Sequence, residues 1–288
     1  MRQMIKISSL VAVTAYTLIL TTGAFAAGSH IEIPRNEWSF SGISGQYDKA
    51  QLQRGFQIYR EACSSCHSLN RIAFRNLAQK GGPEFPEEEL KVLASEYEVD
   101  ALPNEDGEVK KRSAVLSDRF PPLYANEKEA RSIHNGALPP DLSVIAKARG
   151  TAYVGPWYWH PFAMFADIFN GYQEGGSDYI AALLTGYDEP PETMEISEGM
   201  NYNKYYPGHQ IAMANPFAGG NNQVEYQSAM IPSTVKQYAK DVAAFLSWAS
   251  DPTLNQRKQT GWQVLVYLLI TGVLLYIAKR RIWASVKH

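Results

Sequence analysis

The chain has 288 residues, 45% of them hydrophobic, a formal charge of −2 at pH 7 and only two cysteines. Two thiols leave no second cysteine pair with which to complete a four-ligand zinc site. The near-zero charge hides an asymmetry: residues 27–255 carry 19 basic and 29 acidic side chains, a net −10 with His neutral, and such a field repels nucleic acid and anionic substrates while favouring encounter with a basic protein.

At the N-terminus, Arg2 and Lys6 precede an apolar stretch from Leu10 to Leu20 and then Ala24-Phe25-Ala26. This is the order of a cleaved signal peptide, residues 1–26, with Ala27 as the first mature residue. Thr14, Thr17, Thr21 and Thr22 interrupt the run, which is too short to span a bilayer. The 229 residues from Ala27 to Asn255 suffice for one substantial core, or a core with large insertions.

Asp48 can cap a helix on which Leu52, Gly55, Phe56, Tyr59 and Cys63 share one stripe at helical spacing. The stripe leads into Cys63-Ser64-Ser65-Cys66-His67, the pattern of c-type haem attachment. Two thiols three apart on one turn can each bond a porphyrin vinyl group, and the next imidazole then lies against the iron. A thioredoxin-like redox pair also has C-x-x-C, but it opens a helix after a βα pattern, and none precedes this one. Half a zinc site is the other reading, and no second cysteine pair completes it. Export suits the haem reading, because c-type haem is attached outside the bacterial cytoplasmic membrane.

Further along, Glu84, Glu87, Glu88, Glu89, Glu96, Glu98, Asp100, Glu105, Asp106 and Glu108 share a stretch with only Lys91 opposing them. A second acidic run, Asp188, Glu189, Glu192, Glu195 and Glu198, contains no base. Either can border a docking surface or be an ordinary solvated face. Glu87 to Tyr97 and Asn126 to His134 read as helices, and Asp178 to Leu184 as a short apolar helix ended by Gly186. Ser233 is expected to cap the strongest soluble helix, with Val235, Tyr238, Val242, Phe245, Leu246 and Ala249 on one face and Pro252 ending it. No alternating run argues for a sizeable sheet, so the expected fold is all-α with long loops.

Residues 259–278 contain no charge, and a helix of that length covers about 30 Å, the hydrocarbon thickness of a bilayer. Arg257 and Lys258 flank one side; Lys279, Arg280, Arg281 and Lys287 flank the other. The heavier basic cluster predicts a cytoplasmic C-terminal tail, residues 279–288, and an exported domain over residues 27–255.

Iron bound through His67 needs a partner on its other face, and methionine there raises the reduction potential. The candidates are Met164, Met194, Met200, Met213, Met230, His30, His134, His160 and His209. Met213 is preferred, because Pro207-Gly208-His209-Gln210-Ile211-Ala212-Met213-Ala214-Asn215-Pro216 is a proline-bounded loop of small residues that can approach a porphyrin. His209 is its main rival. Met164, between Phe162 and Phe165, is expected to pack in the core. A filled sixth position suits an electron carrier and an open one a haem enzyme such as a peroxidase; a free-standing tethered cytochrome is a third reading.

Across its motifs the chain resembles cytochrome c1, the haem subunit of the cytochrome bc1 complex (ubiquinol–cytochrome c reductase), in its alphaproteobacterial form. The resemblance rests on Leu52-Gln53-Arg54-Gly55 leading to Cys63–Leu69, then Asn135-Gly136-Ala137-Leu138-Pro139-Pro140-Asp141-Leu142-Ser143. It continues through Leu183-Leu184-Thr185-Gly186-Tyr187, Glu189-Pro190-Pro191 and Tyr205-Tyr206-Pro207-Gly208, and ends with Asp241-Val242, Phe245-Leu246, Trp248-Ala249 and the anchored tail. It implies a cytochrome c-like haem domain with loop insertions and one C-terminal transmembrane helix. It further implies one covalent haem c on Cys63 and Cys66, with His67 and Met213 as axial ligands. Pro139 and Pro140 would pack on the His side of the haem, and Arg149 and Tyr179 would meet its propionates. The implied activity is electron transfer, with no enzymatic activity for the subunit alone. The implied partners are cytochrome b, a Rieske iron–sulfur protein and cytochrome c, in a dimeric complex of the bacterial inner membrane with the haem domain in the periplasm. Three features depart from better-known members: Asn215 where proline is common, no extra cysteine pair between Tyr187 and Met213, and a longer segment at Trp157-Tyr158-Trp159-His160-Pro161.

Overall fold

Asp48 starts the first helix, α1 (Lys49–Ile58), by accepting a hydrogen bond from Gln51 N at 2.6 Å, which satisfies one of the amides a helix start leaves open. The computed structural model describes residues 31–150, 155–170, 174–226 and 230–285; the predicted signal peptide lies outside them. Leu52, Gly55, Phe56, Tyr59 and Cys63 are all buried, as the stripe predicts. The helix does not stay α-helical: Tyr59–Cys63 form a π-helical turn. Such a turn inserts an extra residue and rotates the chain beyond it, and π turns are frequent at functional sites.

After a 3₁₀ turn (Phe74–Ala78) come α2 (Glu87–Ser95) and an antiparallel pair, β1 (Glu98–Asp100) with β2 (Lys111–Ser113). Next are α3 (Glu127–Ile133), capped by Asn126, and the single turn α4 (Ile145–Ala148). A 3₁₀ turn (Trp157–Trp159) leads into α5 (His160–Asn170), followed by α6 (Gly175–Thr185). A second small antiparallel pair, β3 (Asn201–Tyr202) with β4 (Gln210–Ile211), aligns Asn201 with Ile211. The chain closes with α7 (Val235–Ser250) and α8 (Leu254–Trp283). The mostly helical architecture agrees with the all-α expectation, the strands being short.

The core is α7 against α1 on one side and α6 on the other. Tyr238, Val242, Phe245 and Trp248 of α7 are fully enclosed, and Phe245 meets the Phe56 ring at 5.4 Å between centroids. Gly55 sets the closeness of α1 and α7: a Cβ there would lie 2.2 Å from Asp241 O, so any side chain forces the helices apart. The same crossing is pinned by Asp241, which is fully buried. Its carboxylate accepts from Arg54 Nε at 2.8 Å, Arg54 Nη2, Gln51, Gln237 and Tyr226 OH. These donors replace the water that burial strips from the carboxylate, which is what makes a buried charge tolerable.

Two expectations are corrected. Thr234, not Ser233, caps α7, its hydroxyl accepting from Gln237 N; Ser233 instead bonds through its carbonyl to Asn222 N. Met164 is exposed rather than in the core, as are Phe162 and Phe165, because no described element packs over this face of α5. The C-terminal helix is longer than its uncharged stretch: backbone bonding continues through polar residues on both flanks, from Leu254 to Trp283. This helix is long and apolar enough to cross a membrane.

Candidate haem-binding site

The π turn ends at Cys63, and His67 N donates to Cys63 O at 2.9 Å, so both cysteines and the histidine lie on one arc. Both thiols are free, Cys63 buried and Cys66 partly so. Burial pushes the Cys63 thiol up to about 12, which leaves it protonated and slow to form a thiolate metal ligand. Among the described residues no group of three or more His, Cys, Asp or Glu side chains could hold a metal ion.

His67 is oriented by a proline carbonyl: its Nδ1 lies 2.8 Å from Pro140 O. A carbonyl only accepts, so Nδ1 carries the proton and Nε2 keeps its lone pair for a ligand. Burial lowers the imidazole's pKa, against the Pro140 bond which raises it, so the ring stays neutral. Tyr59 OH donates to His67 O at 2.9 Å, tying the histidine back to the π turn.

Residues 140–143 are fastened to this arc along their length. Asp141 accepts from Ser68 Oγ at 2.9 Å, Asn70 N at 2.7 Å and Ser143 N at 2.9 Å. Leu142 N donates to Ser68 O, and Arg71 N to Ser143 Oγ. Pro139 is half-buried, and neither proline has an N–H that would need a partner beside an apolar ligand. Sequence reasoning assigns Asp141 no role of its own: two of its partners are some 70 positions away, and no local spacing reveals them.

β4 leads directly into the Met213 loop. Met213 is partly buried and packs against the hydrophobic core that also contains Cys63. Its carbonyl accepts from Tyr187 OH at 3.0 Å and Asn201 Nδ2 at 3.4 Å. Among the described residues it is the methionine candidate packed against that core, whereas Met164 and Met230 are exposed. The rival His209 is engaged in the β3–β4 turn: Nδ1 lies 3.2 Å from Asn203 O and its ring stacks on Tyr202. His134 Nε2 lies 2.6 Å from Tyr124 OH; His30 lies outside the described residues.

Tyr187 bonds Met213 O, and Tyr179 lies close enough to influence Tyr187. Burial raises the Tyr179 pKa while the Arg149 charge opposes the rise, so the two side chains sense each other. Arg149 itself is exposed, at the C-terminal end of α4. Tyr187 is also raised, by burial first and then by Tyr179, which keeps it a protonated donor to Met213 O. The donor set of two free thiols, one imidazole with an available Nε2 and a thioether on the same core fits a covalently tethered porphyrin.

Comparisons with known proteins agree. A family model described as Cytochrome C1 family matches residues 38–286. Cytochrome c1 of Blastochloris viridis is 49% identical over 251 residues, covering 87% of this chain and 86% of that protein. A cytochrome b/c1 of Bradyrhizobium diazoefficiens is 44% identical over 253 residues, covering 88% of this chain and 36% of that longer protein. The mitochondrial cytochrome c1 heme protein of Schizosaccharomyces pombe is 42% identical over 254 residues, covering 88% of this chain and 73% of that protein.

Proposed function

The chain belongs to the cytochrome c1 family, and on that premise we propose that it is the membrane-anchored, electron-carrying haem subunit of a cytochrome bc1 complex. Members of this family carry covalently bound haem c. When bound, haem c supplies one-electron chemistry without bond making at the substrate. The observation that carries the reading is the arc from Cys63 to His67 fastened to Pro140, with Met213 packed on the core that holds Cys63.

The residues have distinct tasks. Cys63 and Cys66 tether the group through thioethers. His67 through Nε2 and Met213 through its thioether would hold the iron, and with both in place the site would suit electron transfer rather than small-molecule binding. Pro139 and Pro140 close the His side. Arg149 and Tyr179 offer a cation and a hydroxyl to carboxylates of the group. Little in this site needs to move when one electron arrives or leaves.

The partner best supported is cytochrome b, since the Bradyrhizobium relative is named as cytochrome b/c1 in one polypeptide. The further assignment is a Rieske iron–sulfur protein as donor, a cytochrome c as acceptor and a dimeric complex. The acidic domain orients a basic acceptor, so electron delivery slows as salt screens that field. Residues 1–26 direct export, residues 27–255 sit in the periplasm, residues 259–278 cross the inner membrane and residues 279–288 end in the cytoplasm. Purification in mild detergent tests the whole reading: the chain co-purifies with cytochrome b and an iron–sulfur protein, and recovery as a lone monomer contradicts it. Rapid carbon monoxide binding by the reduced protein would favour the haem-enzyme alternative.

A further inference from the structure

The segment from Trp157 to Ala166 has no role in the candidate site and contains no Asp, Glu, Lys or Arg. Its large apolar side chains face outward: Trp157 is 84% exposed, Phe165 65%, Phe162 63% and Met164 57%, with Tyr158 and Trp159 also exposed. The rings contact one another within the segment, Trp157 with Tyr158 at 6.0 Å and Trp159 with Phe162 at 5.3 Å. Leaving such side chains in water forgoes the gain of burying them, and contiguous exposed apolar surface of this kind marks a contact.

Its position in the fold says which contact. Asp167 pairs with Arg35 at 3.7 Å, and the neighbouring Asn36 donates through N to Asp178 at 2.8 Å. Beyond that, Phe40 O and Gly42 O accept from Lys258 Nζ in the first turns of α8. At the start of α6, Glu174 and Gly176 line a pocket of about 440 Å³ together with Leu254, Arg257 and Lys258. Asp167, just past the C-terminal end of the segment, is thus tied to the stretch of residues 35–42 that also holds Lys258 at the start of the anchor.

We propose that residues 157–165 are a second membrane contact, an aromatic foot that sits in the headgroup region of the phospholipid bilayer crossed by α8. The proposal rests on reading α8 as the anchor and goes beyond it. Trp and Tyr rings combine an apolar body with a polar tip and collect at this depth. A face without charges makes no ionic demand on its partner, which suits lipid better than the polar surface of another protein, and the chain just past it, at Asp167, is tied to residues 35–42 that hold the start of the anchor. The foot fixes the tilt of the acidic domain over the membrane, which a single helix leaves free to rotate.

Native membranes containing the assembled complex provide the test, using a phosphatidylcholine with a carbene-generating diazirine near the ester end of one acyl chain. After irradiation, peptides are mapped by mass spectrometry. Label on both the 157–165 peptide and the 259–278 peptide is the expected result. Label on the anchor peptide alone overturns the foot and leaves the anchor standing; an unlabelled anchor overturns the anchor reading instead. The triple variant Trp157→Ser, Trp159→Ser, Phe162→Ser should lose the label on its own peptide and keep that on the anchor. Label persisting in the variant at the same level overturns the proposal.

Discussion

Around His67, hydrogen bonds join two segments more than seventy positions apart, from Ser68, Asn70, Arg71 and the imidazole itself to residues 140–143. Around Met213, two side chains from within 26 positions hold one carbonyl, and the thioether relies on packing. As the proposed ligand, the imidazole would have to present one nitrogen in one direction, and a hydrogen bond to its other nitrogen achieves that. A thioether on a flexible side chain adapts to its partner, so a looser frame suffices. The two sides thus divide into a stapled half and a packed half.

Removing the staple should have the largest effect. Asp141→Ala strands the donors of Ser68, Asn70 and Ser143 and is expected to lower stability by about 3 kcal/mol. Urea unfolding followed by circular dichroism measures it; a loss no larger than that of an exposed alanine substitution would remove the distinction between the halves. Met213→Leu nearly conserves volume, with a stability loss of about 1 kcal/mol or less. Its effect should show in function: covalent haem is retained, the potential falls in a redox titration and the reduced protein binds carbon monoxide. If His209→Leu produced that result instead, the ligand assignment would be wrong.

Tyr187→Phe sharpens the comparison, since it removes one donor to Met213 O while keeping the ring. The expected loss is about 1 kcal/mol, with a smaller fall in potential than Met213→Leu. The smallest effect is expected from acid, at a place that belongs to neither half. Burial raises the Asp251 pKa, but hydrogen bonds from Lys147 (3.0 Å) and Arg257 outweigh this and hold it below its ordinary 3.8. Its contribution is therefore complete above pH 3.8 and lost as pH falls through the lower folded value. Asp251→Asn should flatten the pH dependence of unfolding in that window and leave the haem spectrum unchanged.

Local features are readable from the chain because they are written in neighbouring residues. The stripe from Leu52 to Cys63 follows helical period, the Asp48 cap is a three-residue signature, and the uncharged run at 259–278 announces itself by length. Features that escape depend on residues distant in sequence or on backbone detail. The π turn at Tyr59–Cys63 leaves no compositional mark, and the Asp141 bonds require the fold to exist first. By residue type Ser233 is the better cap, and the backbone selects Thr234 instead. Met164 is misplaced by sequence because apolar composition alone cannot tell a core from an outward face. The family resemblance carried by the ordered motifs is confirmed by a family match across residues 38–286.

The tether at residues 63 and 66 can be weighed directly. Extract the purified full chain with acidified organic solvent and determine the intact mass of the polypeptide. A chain heavier by one haem, losing that increment only when both Cys63 and Cys66 are replaced by serine, is the expected outcome. Pigment released into the solvent, with a bare polypeptide left behind, would contradict the account.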